Sequence, residues 1–139
     1  MGASANKAHP RGIFAAAATG DSGPLVEALA DDVQWTIIGT TRWSRLYSGK
    51  RAVIEELLAP LSAQLAGPIT VTAQRVVADG DTVVVEGHIQ NDTVSGRAYP
   101  NRYCWVFVLH EGRIVEVTEY PDTQLLAEVL SPPPVAGTG

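Results

Sequence analysis

The sequence is poor in cysteine, and that shortage already excludes two kinds of site. Its 139 residues include one cysteine, Cys104, so neither an internal disulfide nor a cysteine-rich zinc centre can form. A lone thiol on a predicted strand is typical of a buried core residue, and a chain without disulfides suits a reducing compartment, so we expect a cytoplasmic protein. The histidines and acidic residues fit no recognised zinc spacing, so we expect no metal and no other cofactor.

Charge is also scarce, and basic residues do not cluster. The formal net charge is −5, and no segment carries a run of Lys and Arg, which argues against a nucleic-acid partner. No apolar run approaches the roughly 18 residues that a membrane span needs, and the apolar stretch 13–18 is too short for a secretory signal. Because only 18% of residues are charged, we expect part of the surface to be covered by a second subunit, as in a homodimer.

The first half of the chain is patterned mainly for helices. We expect a flexible tail over residues 1–11, a single domain over 12–130, and a disordered Pro/Gly-rich tail over 131–139. Within the domain, an Ala-rich helix begins at Ile13 and stops at Gly20, and a second helix capped by Asp21 or Ser22 follows. A strand is predicted over 33–38, a loop over 39–48, and a long helix over 49–65 that Pro60 should kink or split.

The second half is patterned for strands. Strands are predicted over 69–77 and 82–90, then a hairpin over 99–122 that turns at 110–112, and then a short helix over 124–130 capped by Asp122 or Thr123. Strands segregated from helices indicate an α+β protein, and a curved antiparallel sheet wrapped on the long helix would form a cone with an interior cavity. Gly87 is a candidate for the bend that curves the sheet.

Strand alternation brings the chemically useful side chains into sets. If the sets share one interior, that cavity is lined by Trp35, Glu86, His88, Asn101, Tyr103, Trp105, Phe107, Val117 and Glu119. Mostly apolar walls with a few polar groups are typical of a small-molecule site. Burial would raise the pKa of a carboxyl group there, which suits general acid/base chemistry near neutral pH.

We therefore assign provisional roles within this cavity. Glu119 is the candidate general acid/base, with Glu86 and His88 as its proton partners. Tyr103 and Asn101 are candidate hydrogen-bond donors to a ligand oxygen, and Trp35 and Trp105 are walls, together with Phe107 and Val117. Asp122 either supports Glu119 or caps the last helix.

Each assignment has a structural alternative. Glu86 and His88 would lie outside the cavity if their face of the strand is exposed to solvent. Glu119 could form an ordinary cross-strand ion pair with Arg102 or Arg113. The aromatic residues could be core residues, which in a cone-shaped domain are also the walls of the cavity.

Several short motifs resemble one known family. The segments Asp32-Val-Gln-Trp35, Gly39, Gly49, Gly80-Asp81, Glu111-Gly-Arg-Ile114 and Glu119-Tyr-Pro-Asp122 appear in order. They resemble the SnoaL-like branch of the nuclear transport factor 2-like superfamily, which also contains ketosteroid isomerases and limonene epoxide hydrolases. The resemblance spans roughly residues 12–130 and implies an α+β cone, a homodimer, and a hydrophobic pocket that contains an acidic residue.

The resemblance transfers the catalytic roles only in part. Glu119 matches the acidic residue of SnoaL-like polyketide cyclases and of the epoxide hydrolases, but the cyclases' partner histidine falls near Trp105. The base of a ketosteroid isomerase would fall near Thr36 or Ile37, which cannot accept a proton from carbon. Glu86 and His88 stand where an epoxide hydrolase needs an arginine and an aspartate.

The sequence thus supports two functional hypotheses. The first is a small-molecule protein that acts on a hydrophobic polycyclic, polyketide or terpenoid-like compound by general acid/base catalysis, as an isomerase, cyclase or hydrolase-like enzyme. The second is a non-catalytic ligand-binding or dimeric interaction module with the same fold. The direction in which Glu86, His88, Tyr103 and Glu119 point distinguishes the two.

Overall fold

Six strands form one mixed sheet, with helices packed on one of its faces. The computed structural model describes residues 3–133, with side chains from residue 9 onward. The helices are α1 (Ala3–Ala17), α2 (Gly23–Ala28), α3 (Lys50–Ala52), α4 (Ala59–Gln64) and α5 (Thr123–Val129), with a π-helical segment, Val53–Leu58, between α3 and α4. The strands are β1 (Leu29–Ile37), β2 (Leu46–Ser48), β3 (Val71–Asp79), β4 (Thr82–Ile89), β5 (Asn101–His110) and β6 (Arg113–Pro121).

The strand order is β2-β1-β6-β5-β4-β3. The strands from β3 to β6 form consecutive antiparallel pairs, which confirms the four-stranded run predicted from sequence. Strand β1, the first strand in the sequence, pairs in parallel with β6, the last. The register shifts between Ala73 and Arg75 on β3 and between Val108 and Leu109 on β5, and such bulges bend a sheet. The predicted α+β architecture is confirmed.

One face of the sheet is buried, and no helix of the described part of the chain covers the other face. Along β4 and β5 the burial alternates strictly from residue to residue. The buried side chains of these strands meet α1, which packs on β3 and β4. The core that results contains Phe14, Leu29, Val33, Val85, Phe107, Ile114 and Val117. When only one face of a sheet is covered, apolar side chains are buried at every second position of a strand, which gives this alternation.

Three boundaries differ from the sequence prediction. Helix α1 begins at Ala3, ahead of the predicted start at Ile13, and passes through most of the segment expected to be a tail. Strand β1 begins at Leu29, because the chain enters it directly from the end of α2. Strand β2 lies in the segment predicted to be a loop. The sequence did not indicate it because three residues are too few to show an alternating pattern, and it is recognised by its pairing with β1. Of the predicted C-terminal tail, residues 134–139 lie outside the described part of the chain.

The long helix is not split at Pro60, as it is helical at every residue from 50 to 64, but a π-helical segment lies directly before the turn that contains Pro60. In the π-helical segment the N–H group of Ala59 donates to the carbonyl oxygen of Ile54, five residues back. Pro60 then occupies the first turn of α4, where a missing N–H costs least. Leu58 and Leu61, on either side of Pro60, both face the cavity described below.

Gly87 provides a first test of the sheet. A Cβ atom at this position would lie 2.5 Å from the carbonyl oxygen of Thr72 and 3.2 Å from Cζ3 of Trp105. We expect Gly87→Ala to lower the free energy of unfolding by about 1–3 kcal/mol, because a backbone atom must move. Gly12→Ala is the control, since nothing lies within 4 Å of its Cβ and alanine favours a helix by up to about 1 kcal/mol. Denaturant unfolding measures both, and equal stabilities would contradict the crowding at Gly87.

Candidate active site

A cavity of about 250 Å³ lies between the buried face of the sheet and the helices. Helix α1 contributes Ile13 and Phe14, and the helical region after β2 contributes Leu58 and Leu61. The sheet contributes Trp35, Tyr103, Trp105, Phe107 and Glu119. Among the described residues that line the cavity, Glu119 is the only acidic residue, and none is Lys, Arg or His. The cavity is therefore a largely apolar chamber with one acidic group.

The sheet positions Glu119 between two indole rings. Trp105 lies directly opposite Glu119 in the antiparallel pairing of β5 with β6. Trp35 lies on the other neighbouring strand, two residues before Ile37, which pairs with Glu119. The indole N–H of Trp105 donates to Oε1 of Glu119 at 3.1 Å, and that of Trp35 donates to the same oxygen at 3.3 Å. Both tryptophans line the cavity as expected, and both also bind the acid, a role that the sequence reasoning missed.

Burial changes the acidity of this group. Desolvation raises the pKa of Glu119 from 4.5 to about 7, and the hydrogen bonds from Trp105 and Trp35 oppose that rise. The alternative considered from sequence, an ion pair with Arg102 or Arg113, does not form, because both arginines are exposed. A carboxyl group that titrates near neutral pH can both donate and accept a proton there.

Tyr103 lies beside the acid and ends a buried chain of hydrogen bonds. Its ring stacks on Trp105, with centroids 4.8 Å apart and planes 4° from parallel. Its hydroxyl group lies 2.8 Å from that of Tyr99. Burial raises the pKa of Tyr99 to about 12 and that of Tyr103 well above its ordinary value, so both phenols stay neutral.

Asn101 anchors this chain and is not free to bind a ligand. Its Nδ2 donates to the hydroxyl oxygen of Tyr99 at 2.8 Å and to the carbonyl oxygen of Asp122 at 3.2 Å. Its Oδ1 accepts from the backbone N–H of Asp122 at 3.0 Å. The predicted role of Asn101 as a donor to a ligand oxygen is wrong, because its amide is fully buried and is used within the protein.

Asp122 caps a helix. Its carboxylate accepts a hydrogen bond from the backbone N–H of Leu125 at 3.1 Å, at the N-terminus of α5. This satisfies one of the unpaired N–H groups of a helix start. Of the two roles considered for Asp122, the structure selects the cap, and Asp122 does not line the cavity.

Glu86 and His88 lie on the wrong face to assist Glu119. On β4 the buried positions are Val83, Val85, Gly87 and Ile89, so the residues between them point away from the cavity. Glu86 instead pairs with Arg75 on β3, and this pairing lowers its pKa. The predicted role of Glu86 and His88 as proton partners is wrong, and the solvent-facing alternative is correct.

The remaining candidates divide between cavity wall and core. Phe107 lines the cavity, as predicted. Val117 is fully buried behind it and does not line the cavity. Phe14, Leu58 and Leu61 were not proposed as wall residues, although the helical spacing of 58 and 61 marked them as apolar-face positions.

Two classes of site are absent from the part of the chain that the structure describes. Across residues 3–133, no three His, Cys, Asp or Glu side chains are grouped so as to hold a metal ion. No helix within the same range is long and apolar enough to cross a membrane.

The raised pKa of Glu119 predicts how stability depends on pH. The folded protein holds this proton up to about pH 7, whereas the unfolded chain releases it near pH 4.5. Stability is therefore highest below the unfolded pKa and falls as the pH rises through the folded one, by roughly 3 kcal/mol in total. Glu119→Gln should remove this component, and Glu116→Gln, on the exposed face of the same strand, should retain it. Denaturant unfolding across this pH range measures the difference, and parallel curves for wild type and Glu119→Gln would contradict the assignment.

Comparison with known proteins identifies the family to which this chain is similar. A family model described as the SnoaL-like domain matches residues 11–117. A search of curated proteins finds no match.

Solved structures with the same fold span almost the whole chain. An NTF2-like protein from Burkholderia xenovorans LB400 is 24% identical, with a TM-score of 0.72 over 94% of this chain and 99% of its own. A Jannaschia sp. CCS1 protein provisionally described as a SnoaL-like polyketide cyclase is 18% identical, with a TM-score of 0.75 over 94% of each chain. A Bacillus subtilis protein provisionally described as an isomerase is 21% identical, with a TM-score of 0.74 over 93% of this chain and 95% of its own.

At these identities the structures establish the fold alone. The family model covers most of the chain and includes β1, both tryptophans of the acid site and the start of β6. With a family model that matches most of its length, the chain belongs to the SnoaL-like domain family, and it shares its fold with NTF2-like proteins.

Proposed function

We propose that the protein binds a small hydrophobic molecule in the cavity and converts it by general acid/base catalysis through Glu119. The observation that carries this proposal is a buried carboxyl group at a largely apolar cavity, with a pKa raised to about 7. Such a group exchanges a proton with a ligand at little cost near neutral pH. Structural roles for buried acids normally include an ion-pair partner, which Glu119 does not have among the described residues.

The number of acidic and basic side chains in the cavity limits the class of reaction. One carboxyl group can take a proton from a ligand and return it elsewhere, which is the requirement of an isomerisation or a cyclisation. A hydrolysis of the epoxide hydrolase type needs two acids and an arginine, and the described lining holds a single acid and no arginine. The provisional descriptions of the Jannaschia and Bacillus subtilis neighbours agree with an isomerase or cyclase.

The size of the cavity limits the ligand. A cavity of about 150 Å³ accommodates benzene, and drug-sized ligands occupy roughly 300 Å³ or more. The space here, about 250 Å³, favours a terpenoid or polyketide fragment of one or two rings over the larger polycyclic compounds considered from sequence.

A second copy of the chain is the proposed occupant of the uncovered face of the sheet. Val84, Val106 and Val108 are half-buried there although no helix within residues 3–133 covers them. Residues of both charges, including Arg102 and Glu116, surround this apolar centre, and a patch with both signs can complement its own copy around a two-fold axis. We propose a homodimer through this face, and a cytoplasmic location, which suits the single half-buried thiol of Cys104.

The catalytic proposal is tested with Glu119→Gln. Thermal-shift screening against one- and two-ring terpenoids and polyketide-like compounds identifies ligands, since a bound ligand stabilises the folded state. For any ligand that is converted, turnover should fall by about 10² or more in Glu119→Gln, which cannot exchange the proton. Glu116→Gln should keep full turnover. Ligands that bind without conversion would favour the non-catalytic module, and full turnover in Glu119→Gln would remove this residue from the mechanism.

The dimer is tested with a charge on the uncovered face. We expect Val106→Arg to convert the dimer to a monomer, because two copies of the charge would be buried against each other in a symmetric interface. Val94→Arg is the control, since Val94 is 70% exposed in the loop before β5. Sedimentation velocity measures the masses. A monomeric wild type, or a dimer that survives Val106→Arg, would contradict this interface.

A further inference from the structure

The two indole groups bind one oxygen of Glu119 and leave the other free. Trp35 and Trp105 donate from strands on opposite sides of β6, and both reach Oε1. Among residues 9–133, no group donates a hydrogen bond to Oε2. Glu119 lines the cavity, so Oε2 is the oxygen that a ligand can meet.

This asymmetry decides where a proton can sit. In a neutral carboxyl group one oxygen carries the hydrogen and the other is a carbonyl oxygen with two acceptor sites. Oε1 accepts two N–H groups and so occupies both of its acceptor sites. An indole N–H can only donate, so neither tryptophan can accept a proton from Oε1. The neutral form therefore carries its hydrogen on Oε2.

We propose that Trp35 and Trp105 fix the proton of Glu119 on Oε2, so that Glu119 presents an O–H donor to the cavity and selects a compact, uncharged ligand with an oxygen acceptor. The acceptor is a carbonyl, hydroxyl or ether oxygen on a scaffold of one or two rings. This inference rests on the proposed function and adds to it the chemical class of the ligand and the positioning role of the tryptophans.

The rest of the cavity supports an uncharged ligand. No Lys, Arg or His belongs to the described lining, so an anionic ligand would enter a chamber without a counter-charge. A cationic ligand requires the ionised acid, whose formation burial disfavours. A neutral ligand with an oxygen acceptor pairs with the hydroxyl of the protonated acid and so satisfies that buried group.

The trend with pH has a defined sign. When the pH rises through about 7, Glu119 loses the Oε2 proton, and a carboxylate then faces the oxygen of the ligand. Affinity for an oxygen-acceptor ligand should therefore be highest at low pH and fall above this point. Glutamine at 119 places its NH₂ group where Oε2 was and keeps Oε1 for the indoles, so Glu119→Gln should bind such a ligand without pH dependence.

The experiment uses four probes built on one scaffold. They are indane, 2-indanone, 2-aminoindane and indane-2-carboxylate, which supply a hydrocarbon, an acceptor, a cation and an anion of similar size. Isothermal titration calorimetry measures their affinities for the full chain from about pH 5.5 to 8.5. At low pH we expect 2-indanone to bind about tenfold more tightly than indane, the ratio that one buried hydrogen bond provides. The carbonyl stretch of bound 2-indanone should move to lower frequency than in an apolar solvent.

Trp105→Phe tests the positioning role. Loss of one N–H donor raises the pKa of Glu119 further, so the midpoint of the pH dependence of 2-indanone binding should shift upward. Phe107→Leu is the control, because Phe107 lines the cavity without a bond to Glu119 and should leave the midpoint unchanged. A merely structural role for Trp105 would weaken all probes equally and leave the midpoint in place.

Each other outcome has a distinct meaning. If 2-aminoindane binds most tightly, the site holds a cation on the ionised acid, and the inference is overturned while the proposed function stands. The inference also fails, again without the proposed function, if indane and 2-indanone bind equally or if Trp105→Phe keeps the wild-type midpoint. Absence of binding by all four probes would overturn the ligand class, and the loss of turnover in Glu119→Gln would then decide the proposed function separately.

Discussion

A carboxyl group among apolar side chains is stable only if its oxygens find donors or its charge is removed, and the acid site of this protein is arranged around that requirement. Trp35 and Trp105 supply two donors to one oxygen of Glu119, and burial favours the proton on the other. The two indoles belong to the walls of the same cavity, so one pair of side chains provides both apolar surface and the support of the acid. A histidine or a second acid at position 105 could exchange protons with Glu119. Trp105 cannot, because its indole N–H only donates a hydrogen bond.

The sheet makes this arrangement possible because β6 has a neighbour on each side. Strand β5 is joined to β6 by a hairpin and pairs with it antiparallel. Strand β1 lies far from β6 in the sequence and pairs with it in parallel. A residue on the buried face of β6 is thus flanked by buried-face residues of both neighbours. The Tyr103–Tyr99–Asn101 chain extends the same layer to the cap of α5, so the last helix is tied to the cavity wall by hydrogen bonds.

Several elements could be predicted from the sequence because their signals are local. The alternation along β5 identified Tyr103, Trp105 and Phe107 as one set, and the structure places all three at the cavity. The helical spacing after Gly49 was also readable, since helix periodicity acts within a few residues, whereas the helix continues through Pro60. The start of α1 was not, because residues 1–9 are small and polar and show no apolar helical spacing, although the helix begins at Ala3.

The sequence by itself determined every strand except the short β2, the fold class and the position of the acid in Glu119-Tyr-Pro-Asp122. It did not determine which face of β4 is buried, because Val83, Val84 and Val85 give an apolar residue to both faces. Tertiary structure decided this through the close approach of Gly87 to β3 and Trp105, where no Cβ fits, and it thereby turned Glu86 and His88 outward. The indole contacts of Glu119 were likewise decided only by folding, because one of them joins residues 84 positions apart through a parallel strand pair that has no local sequence signal.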